Sequence, residues 1–186
     1  MHDTPRVVVP LAEGFEEVEA VAVIDVLRRA GIEVICASVS GSRMVTGSHR
    51  LSVAVDTALA EVHSADLDLV ALPGGLPGST TLAASPAVLE LLRRVYGQGG
   101  LVAAICAAPL ALQAAGLLHG RKVTCYPGIE KQLMGAIYTG QTVECDERII
   151  TSRGAGTALP FALELVRALG RAAQAEQLRT GMLIGA

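Results

Sequence analysis

Short, nearly unbroken apolar runs recur along this chain with helical stretches between them, and that pattern restricts the fold more than any other feature. Arg6-Val-Val-Val-Pro10 leads into a segment of helical periodicity from Glu16 to Ala30, which stops at Gly31. Ile32 to Val39 is a second apolar run and Leu69 to Leu72 a third. After a helical stretch from about Pro86 to Tyr96, Gly100-Leu-Val-Ala-Ala-Ile105 is a fourth. A strand with one wet face alternates apolar and polar residues. A strand that is apolar throughout must be covered on both faces, which is the condition of a parallel sheet lying between helices. The spacing predicts an α/β fold with a mostly parallel sheet covered by helices on both faces, and a ligand site beyond the carboxyl ends of the strands.

Further along, Thr142–Cys145 and Arg148–Thr151 flank Asp146-Glu147 as a hairpin. Thr157 is placed to cap a helix running to about Leu169, and a last helix covers roughly Arg171 to Arg179, before the apolar tail Met182–Ala186. Residues 40 to 66 are irregular enough to leave the main sheet. No repeat or long linker divides the chain, so residues 1–186 are expected to form a single domain. Hydrophobic residues make up 51% of the chain and charged residues 18%, too apolar a balance for disorder. Fifteen basic against 18 acidic residues leave a net charge of −3, which gives no electrostatic grip on nucleic acid or anionic lipid. Small molecules or proteins are the expected partners. The opening Met1-His2-Asp3-Thr4-Pro5 shows no signal peptide, and no apolar run reaches the ~18 residues of a membrane helix, so a cytoplasmic location is expected.

Cys36, Cys106, Cys125 and Cys145 are far apart, without a CxxC pair or histidines at ligand spacing, so neither a metal site nor a redox dithiol is expected. Cys36 and Cys125 lie in strand-like segments and Cys145 at a hairpin edge, where packing explains them. His2, His49, His63 and His119 fall in loops and none stands out as a base. Cys106 is different. It ends a buried strand and is followed at once by a helix rich in small residues, so that helix amides point at the sulfur and favour a thiolate. The competing reading is a buried small side chain. Glu19 is the second unusual residue, because helical spacing sets it with Ala22, Val23, Val26 and Ala30 rather than with Glu17 and Arg28 on the far side. A carboxyl there would have a raised pKa and could serve as general acid or base, unless it emerges at the helix end near water. Leu72-Pro-Gly-Gly75 also follows a strand, and the amides of Gly75 and Ala107 are natural donors to an oxyanion. Ser152-Arg-Gly-Ala-Gly-Thr157 opens a helix but matches no nucleotide-binding pattern.

Five segments together resemble the ThiJ/PfpI superfamily, and within it the DJ-1 branch. They are Gly14-Phe-Glu-Glu-Val-Glu19, Leu72-Pro-Gly-Gly75, Ala103-Ala-Ile-Cys-Ala-Ala-Pro109, Lys122-Val-Thr, and Thr151-Ser-Arg-Gly-Ala-Gly-Thr157, in family order over nearly the whole chain. The resemblance implies a flavodoxin-like three-layer sandwich, with Cys106 reactive, Glu19 its carboxyl partner, and Gly75 with Ala107 the backbone anion pocket. It implies a homodimer through the first helix, with Arg29 reaching the partner's site. His49, with Arg50 beside it, stands where the family often has a pocket arginine, and Tyr126 where many animal members carry a histidine. Alanine, not histidine, follows the cysteine, and no His-x-Glu lies downstream, which demotes peptidase and amidotransferase chemistry.

By resemblance, the expected activity is that of a glyoxalase III or deglycase, acting on methylglyoxal, glyoxal or early glycation adducts without cofactor or metal. The alternative is a stress protein, an oxidation sensor or redox-regulated chaperone, that uses the same thiol.

Overall fold

The structure is a computed structural model that describes residues 4–185; His2 and the rest of the first three residues, and Ala186, lie outside the described residues. Its frame begins with β1 (Arg6–Leu11), α1 (Glu17–Arg29) and β2 (Glu33–Ser38). The chain continues through the short strands β3 (Met44–Thr46), β4 (Ser52–Ala54) and β5 (Thr57–Ala58). Then come β6 (Leu69–Leu72), α2 (Gly78–Ala84), α3 (Pro86–Gly97), β7 (Leu101–Ile105) and α4 (Pro109–Ala114). After β8 (Lys122–Val123) and β9 (Ile137–Tyr138), the chain ends with β10 (Val143–Asp146), β11 (Ile149–Ser152), α5 (Ala158–Ala168) and α6 (Ala172–Gly181).

Seven strands form one sheet in the order β10-β11-β7-β6-β1-β2-β5, parallel throughout except for the β10–β11 hairpin. Alternate residues of each strand enter opposite cores, as strand geometry requires. Val7, Val9, Leu11 and Ile105 pack toward α1 and α5 with Val26, Leu27 and Phe161, whereas Val8, Val70, Leu72 and Val102 pack toward α3 and α4 with Leu92 and Leu112. Two apolar cores on one sheet make a three-layer sandwich, covered on both faces as the apolar strands predicted and flavodoxin-like as the resemblance implied.

The register brings the reactive segments together. Leu72 lies opposite Ala104 and Ile105 opposite Ser152, so Pro73–Gly75, Cys106 and Arg153–Gly154 all leave the sheet at one edge. The Ala12–Glu16 loop, which follows Leu11, joins them there: the Glu16 amide donates to the Gly74 carbonyl at 2.9 Å.

Two details differ from the sequence reading. The hairpin turns at Glu147–Arg148, one residue later than predicted, because Asp146 pairs with Ile149; Glu147 takes the left-handed φ of 52° that a two-residue turn of this kind demands. Thr157 does not cap α5 through its side chain. Its hydroxyl instead accepts from the amides of Arg153 and Gly154 and donates to the Gly154 carbonyl, which closes the loop after β11 on itself. Residues 40–66 leave the main sheet as expected: β3 and β4 form a small antiparallel hairpin of their own, and β5 returns to pair with β2 at the sheet edge.

Candidate functional site

The site is built where the N-terminus of α1 meets the ends of β6, β7 and β11. Glu16 caps α1, its carboxylate accepting the Glu19 amide at 2.7 Å, and this sets the rotation of the first helical turn. Glu19 then falls on the inward face with Ala20, Val23 and Val26 and is wholly buried. Its Oε2 accepts the Gly74 amide at 2.7 Å, and the carboxyl also hydrogen-bonds the sulfur of Cys106. Its second oxygen, Oε1, is buried without a hydrogen-bond partner.

Only glycine fits at position 74. A Cβ there would lie 2.5 Å from the Cβ of Cys106 and 2.6 Å from Glu19 Oε2. Gly75, at φ 92°, turns its amide toward the sulfur, a backbone conformation that other residues resist. Cys106 itself sits at φ 65°, a left-handed conformation that costs a non-glycine residue on the order of 1–3 kcal/mol and persists only where its surroundings enforce it. They do so here from both sides. The Cys106 amide donates to the Ser152 carbonyl at 3.0 Å, and its carbonyl accepts the Tyr126 amide at 2.9 Å. The amides of Gly75 and Ala107 both donate toward the sulfur.

The electrostatics depart from the expectation that position alone makes Cys106 a thiolate. Burial, and then the charge of Glu19, push the thiol up to about 12, against the pull of the Gly75 and Ala107 amides. Burial also lifts the Glu19 carboxyl to about 7, with the charge of Glu16 adding to it and the bonds from Gly74 and Cys106 opposing. When Glu19 takes up a proton, its repulsion of the sulfur vanishes and its O–H becomes a third donor beside the two amides, which eases ionisation of the thiol against the larger cost of burial. The other three cysteines lack this arrangement: burial pushes Cys36 and Cys125 up to about 11, and Cys145 is exposed.

The remaining candidates divide. Tyr126 stands at the site through its amide bond to Cys106, with its side chain partly exposed. His49 lies on the exposed loop beyond β3, and its Nδ1 is 2.8 Å from Glu17 Oε2 and 4.0 Å from Glu16 Oε1. Arg50 is exposed in the same turn, at φ 69°, and its amide donates to the Gly47 carbonyl. Arg29 pairs with Asp25 at 2.7 Å near the far end of α1, ten residues and therefore ~15 Å along the axis from Glu19.

Sequence spacing set Glu17 on the far side of α1, and there the structure corrects it. Glu17 is buried because residues 48–51 fold over it: its carboxylate accepts the amides of His49 at 2.6 Å and Leu51 at 3.4 Å, the Ser48 hydroxyl at 3.3 Å, and the His49 ring. Desolvation works to raise this carboxyl, but those hydrogen bonds outweigh it and hold the pKa below its usual value. The same bond raises the pKa of His49. Glu16, Glu17 and His49 bring three potential metal-ligand atoms within 4.8 Å of one another, a grouping the sequence did not reveal. With Glu17 already saturated by donors, the trio is a brace that ties the loop to α1. Gly74 and Gly154 were also missed as site residues, although the doubled glycine after β6 carried the clue.

A model of the DJ-1/PfpI family matches residues 5–168. The Parkinson disease protein 7 homolog of Danio rerio is 42% identical over 183 residues, 96% of this chain and 97% of that protein. The crystal structure of Drosophila melanogaster DJ-1beta superposes with a TM-score of 0.94 at 41% identity, covering 98% of this chain and all of that one. The glutathione-independent glyoxalase DJR-1.2 of Caenorhabditis elegans is 38% identical over 159 residues, 84% of each chain.

The raised carboxyl has a consequence for stability. Below the ordinary value of 4.5 Glu19 is protonated both folded and unfolded; between 4.5 and about 7 only the folded protein keeps the proton. Above 7 the fold bears the full cost of a buried carboxylate, so the stability present at low pH is lost as pH rises. Glu19→Gln removes the titration, so between pH 4.5 and 8 the variant should gain on the order of 3 kcal/mol relative to the unsubstituted protein. Urea unfolding at the two pH values checks this; an unchanged difference would contradict the buried, raised carboxyl.

Proposed function

This chain belongs to the DJ-1/PfpI family, and we propose that it is a cysteine-dependent, cofactor-free enzyme that converts 2-oxoaldehydes such as methylglyoxal into 2-hydroxy acids. Glyoxal and early aldehyde adducts of proteins are substrates of the same chemistry. The observation that carries this reading is the buried Glu19 carboxyl, lifted to about 7 and hydrogen-bonded to a sulfur that also faces two amides. A relative named as a glutathione-independent glyoxalase lends it support.

The chemistry follows from these groups. The Cys106 sulfur adds to the aldehyde carbon, and the oxygen that becomes an alkoxide is met by the amides of Gly75 and Ala107. That oxygen takes a proton, giving a hemithioacetal. Glu19, as carboxylate, removes the hydrogen from the former aldehyde carbon and, as carboxylic acid, returns it to the neighbouring keto carbon, while the hydroxyl proton of the hemithioacetal passes to the keto oxygen. A pKa near 7 suits a group that must do both. The product of this shift is a thioester of the hydroxy acid, which water hydrolyses to release the acid and regenerate the thiol. Aldehyde plus water equals hydroxy acid, so no external oxidant or reductant enters.

One observation favours a second use of the site. The donors of Gly75, Ala107 and protonated Glu19 converge on the sulfur itself, which is where oxygen atoms would sit if the thiol were oxidised to a sulfinate. The two uses separate on turnover, which is repeated for the enzyme and stoichiometric for the sensor.

A second copy of the chain is proposed to cover the outer face of α1. Val18 and Val21 are 56% and 51% exposed there, beside a groove lined by Ile24 and Val53. In such a dimer Arg29 of one chain is offered to the site of the other. Light scattering should give twice the chain mass, and a monomer would remove Arg29 from the site.

Lactate formation from methylglyoxal without glutathione tests the activity. Repeated turnover is expected, lost in Cys106→Ser and reduced by about 10²–10⁴-fold in Glu19→Gln. Glu19→Gln keeps the thiol but removes its proton acceptor, so a covalent adduct should still form but more slowly. No turnover by the unsubstituted protein would overturn the reading.

A further inference from the structure

The loop between β3 and β4 is folded around a carboxylate that takes no part in the chemistry above. Glu17 Oε1 accepts the His49 amide at 2.6 Å and the Leu51 amide at 3.4 Å, while Oε2 accepts the Ser48 hydroxyl at 3.3 Å and lies 2.8 Å from His49 Nδ1. The fit is close. A Cβ at Gly47 would run into the Glu17 side chain, with Cγ only 2.6 Å away. Gly47 is not in the left-handed region, so Glu17, and not the backbone, is what favours glycine there. The loop grips the main chain as well: the Ser48 amide donates to the Phe15 carbonyl and the Gly14 amide to the Thr46 carbonyl, both at 2.8 Å. Residues 46–51 thus clamp the stretch from Gly14 to Glu17 along its length.

The clamped stretch opens the helical turn that carries Glu19. Three hydrogen bonds close a ring there: the Glu16 amide donates to the Gly74 carbonyl, the Gly74 amide to Glu19 Oε2, and the Glu19 amide to Glu16 Oε2. This ring ties Glu19 to the end of β6. The loop holds the same turn from its outer side, at the residue two positions before Glu19. Four donors take up the charge of Glu17, so what it passes to Glu19 is position. Placement on this scale matters, since an error of about 1 Å at a reacting group can cost about 10²-fold in rate. Resting on the reading of Glu19 as the group that moves protons, we propose that Glu17 is a positioning residue. Clamped by residues 46–51, it holds the first turn of α1 so that the Glu19 carboxyl stays buried against Cys106.

The titration midpoint of Glu19, followed through its carboxyl carbon resonance, reads the clamp without turnover. Burial is the largest cause of the raised carboxyl, with the charge of Glu16 adding to it and the bonds from Gly74 and Cys106 opposing, so a loosened turn that admits water should bring the midpoint down. Glu17→Ala should lower it by about one pH unit. Gly47→Ala, which drives the carboxylate from its cradle by a change in the loop, should act in the same direction. Added to Glu17→Ala it should do nothing more, because the side chain it collides with is gone. Glu17→Gln keeps an oxygen for the two amides and should restore most of the midpoint. Val95→Ala, in the core on the other side of the sheet, lowers stability without touching the loop and should leave the midpoint unchanged. In methylglyoxal turnover, Glu17→Ala should lower kcat about tenfold, with KM within about twofold. If the unsubstituted protein turns over no aldehyde, the glyoxalase reading fails, while the midpoints still test the clamp. Midpoints in Glu17→Ala and Gly47→Ala within about 0.3 pH unit of the unsubstituted protein's would overturn the proposal, as would an equal shift in Val95→Ala or a second full shift in the double variant.

Discussion

A carboxyl group buried against a thiol is the interaction on which the rest of this site depends. Glu19 gives up hydration and receives in exchange one amide bond from Gly74 and a shared hydrogen bond with Cys106. The close approach requires that position 74 have no side chain, that Cys106 adopt a left-handed backbone, and that Glu16 start α1 at one definite rotation. Each of those requirements is met by a different element, and the parallel register of β6, β7 and β11 brings the elements to the same edge. The two apolar cores supply the rigidity that holds a strained residue in place.

The electrostatic conflict in the site is itself useful. A buried thiol and a buried carboxyl that were both ionised would repel each other in a medium that screens poorly, so the pair avoids that state near neutral pH. In the proposed reaction, the donors aimed at the sulfur let one proton pass to Glu19 while the sulfur becomes the nucleophile. A thiol alone at the end of β7 would have two amides but no proton acceptor. A carboxyl alone would have no nucleophile. The pair is therefore the smallest unit that serves both steps of the proposed reaction.

Much of this was legible in the chain. Apolar runs such as Leu69–Leu72 predicted the parallel sheet because nothing else buries a strand on both faces. Cys106, Gly75 and Ala107 were marked by their place after strands, and Glu19 by its place on an apolar helical face; the structure brings all four together. Glu17 could not be read in that way, since the loop that buries it comes 31 residues later and two of its hydrogen bonds come from backbone amides, which leave no trace in a sequence. Thr157 misled for a related reason. The residue type suits a helix cap, but the tight loop after β11 offers its hydroxyl nearer partners. The state of the thiol depended on burial and on the charge facing it, and neither is visible until the chain is folded.

The carbon resonance of the Glu19 carboxyl, followed through a pH titration, tests the central claim most directly. The account predicts a midpoint near 7, raised further when Cys106 is replaced by alanine, because the hydrogen bond from the sulfur holds it down. A midpoint at the ordinary 4.5 that is indifferent to Cys106 would contradict it.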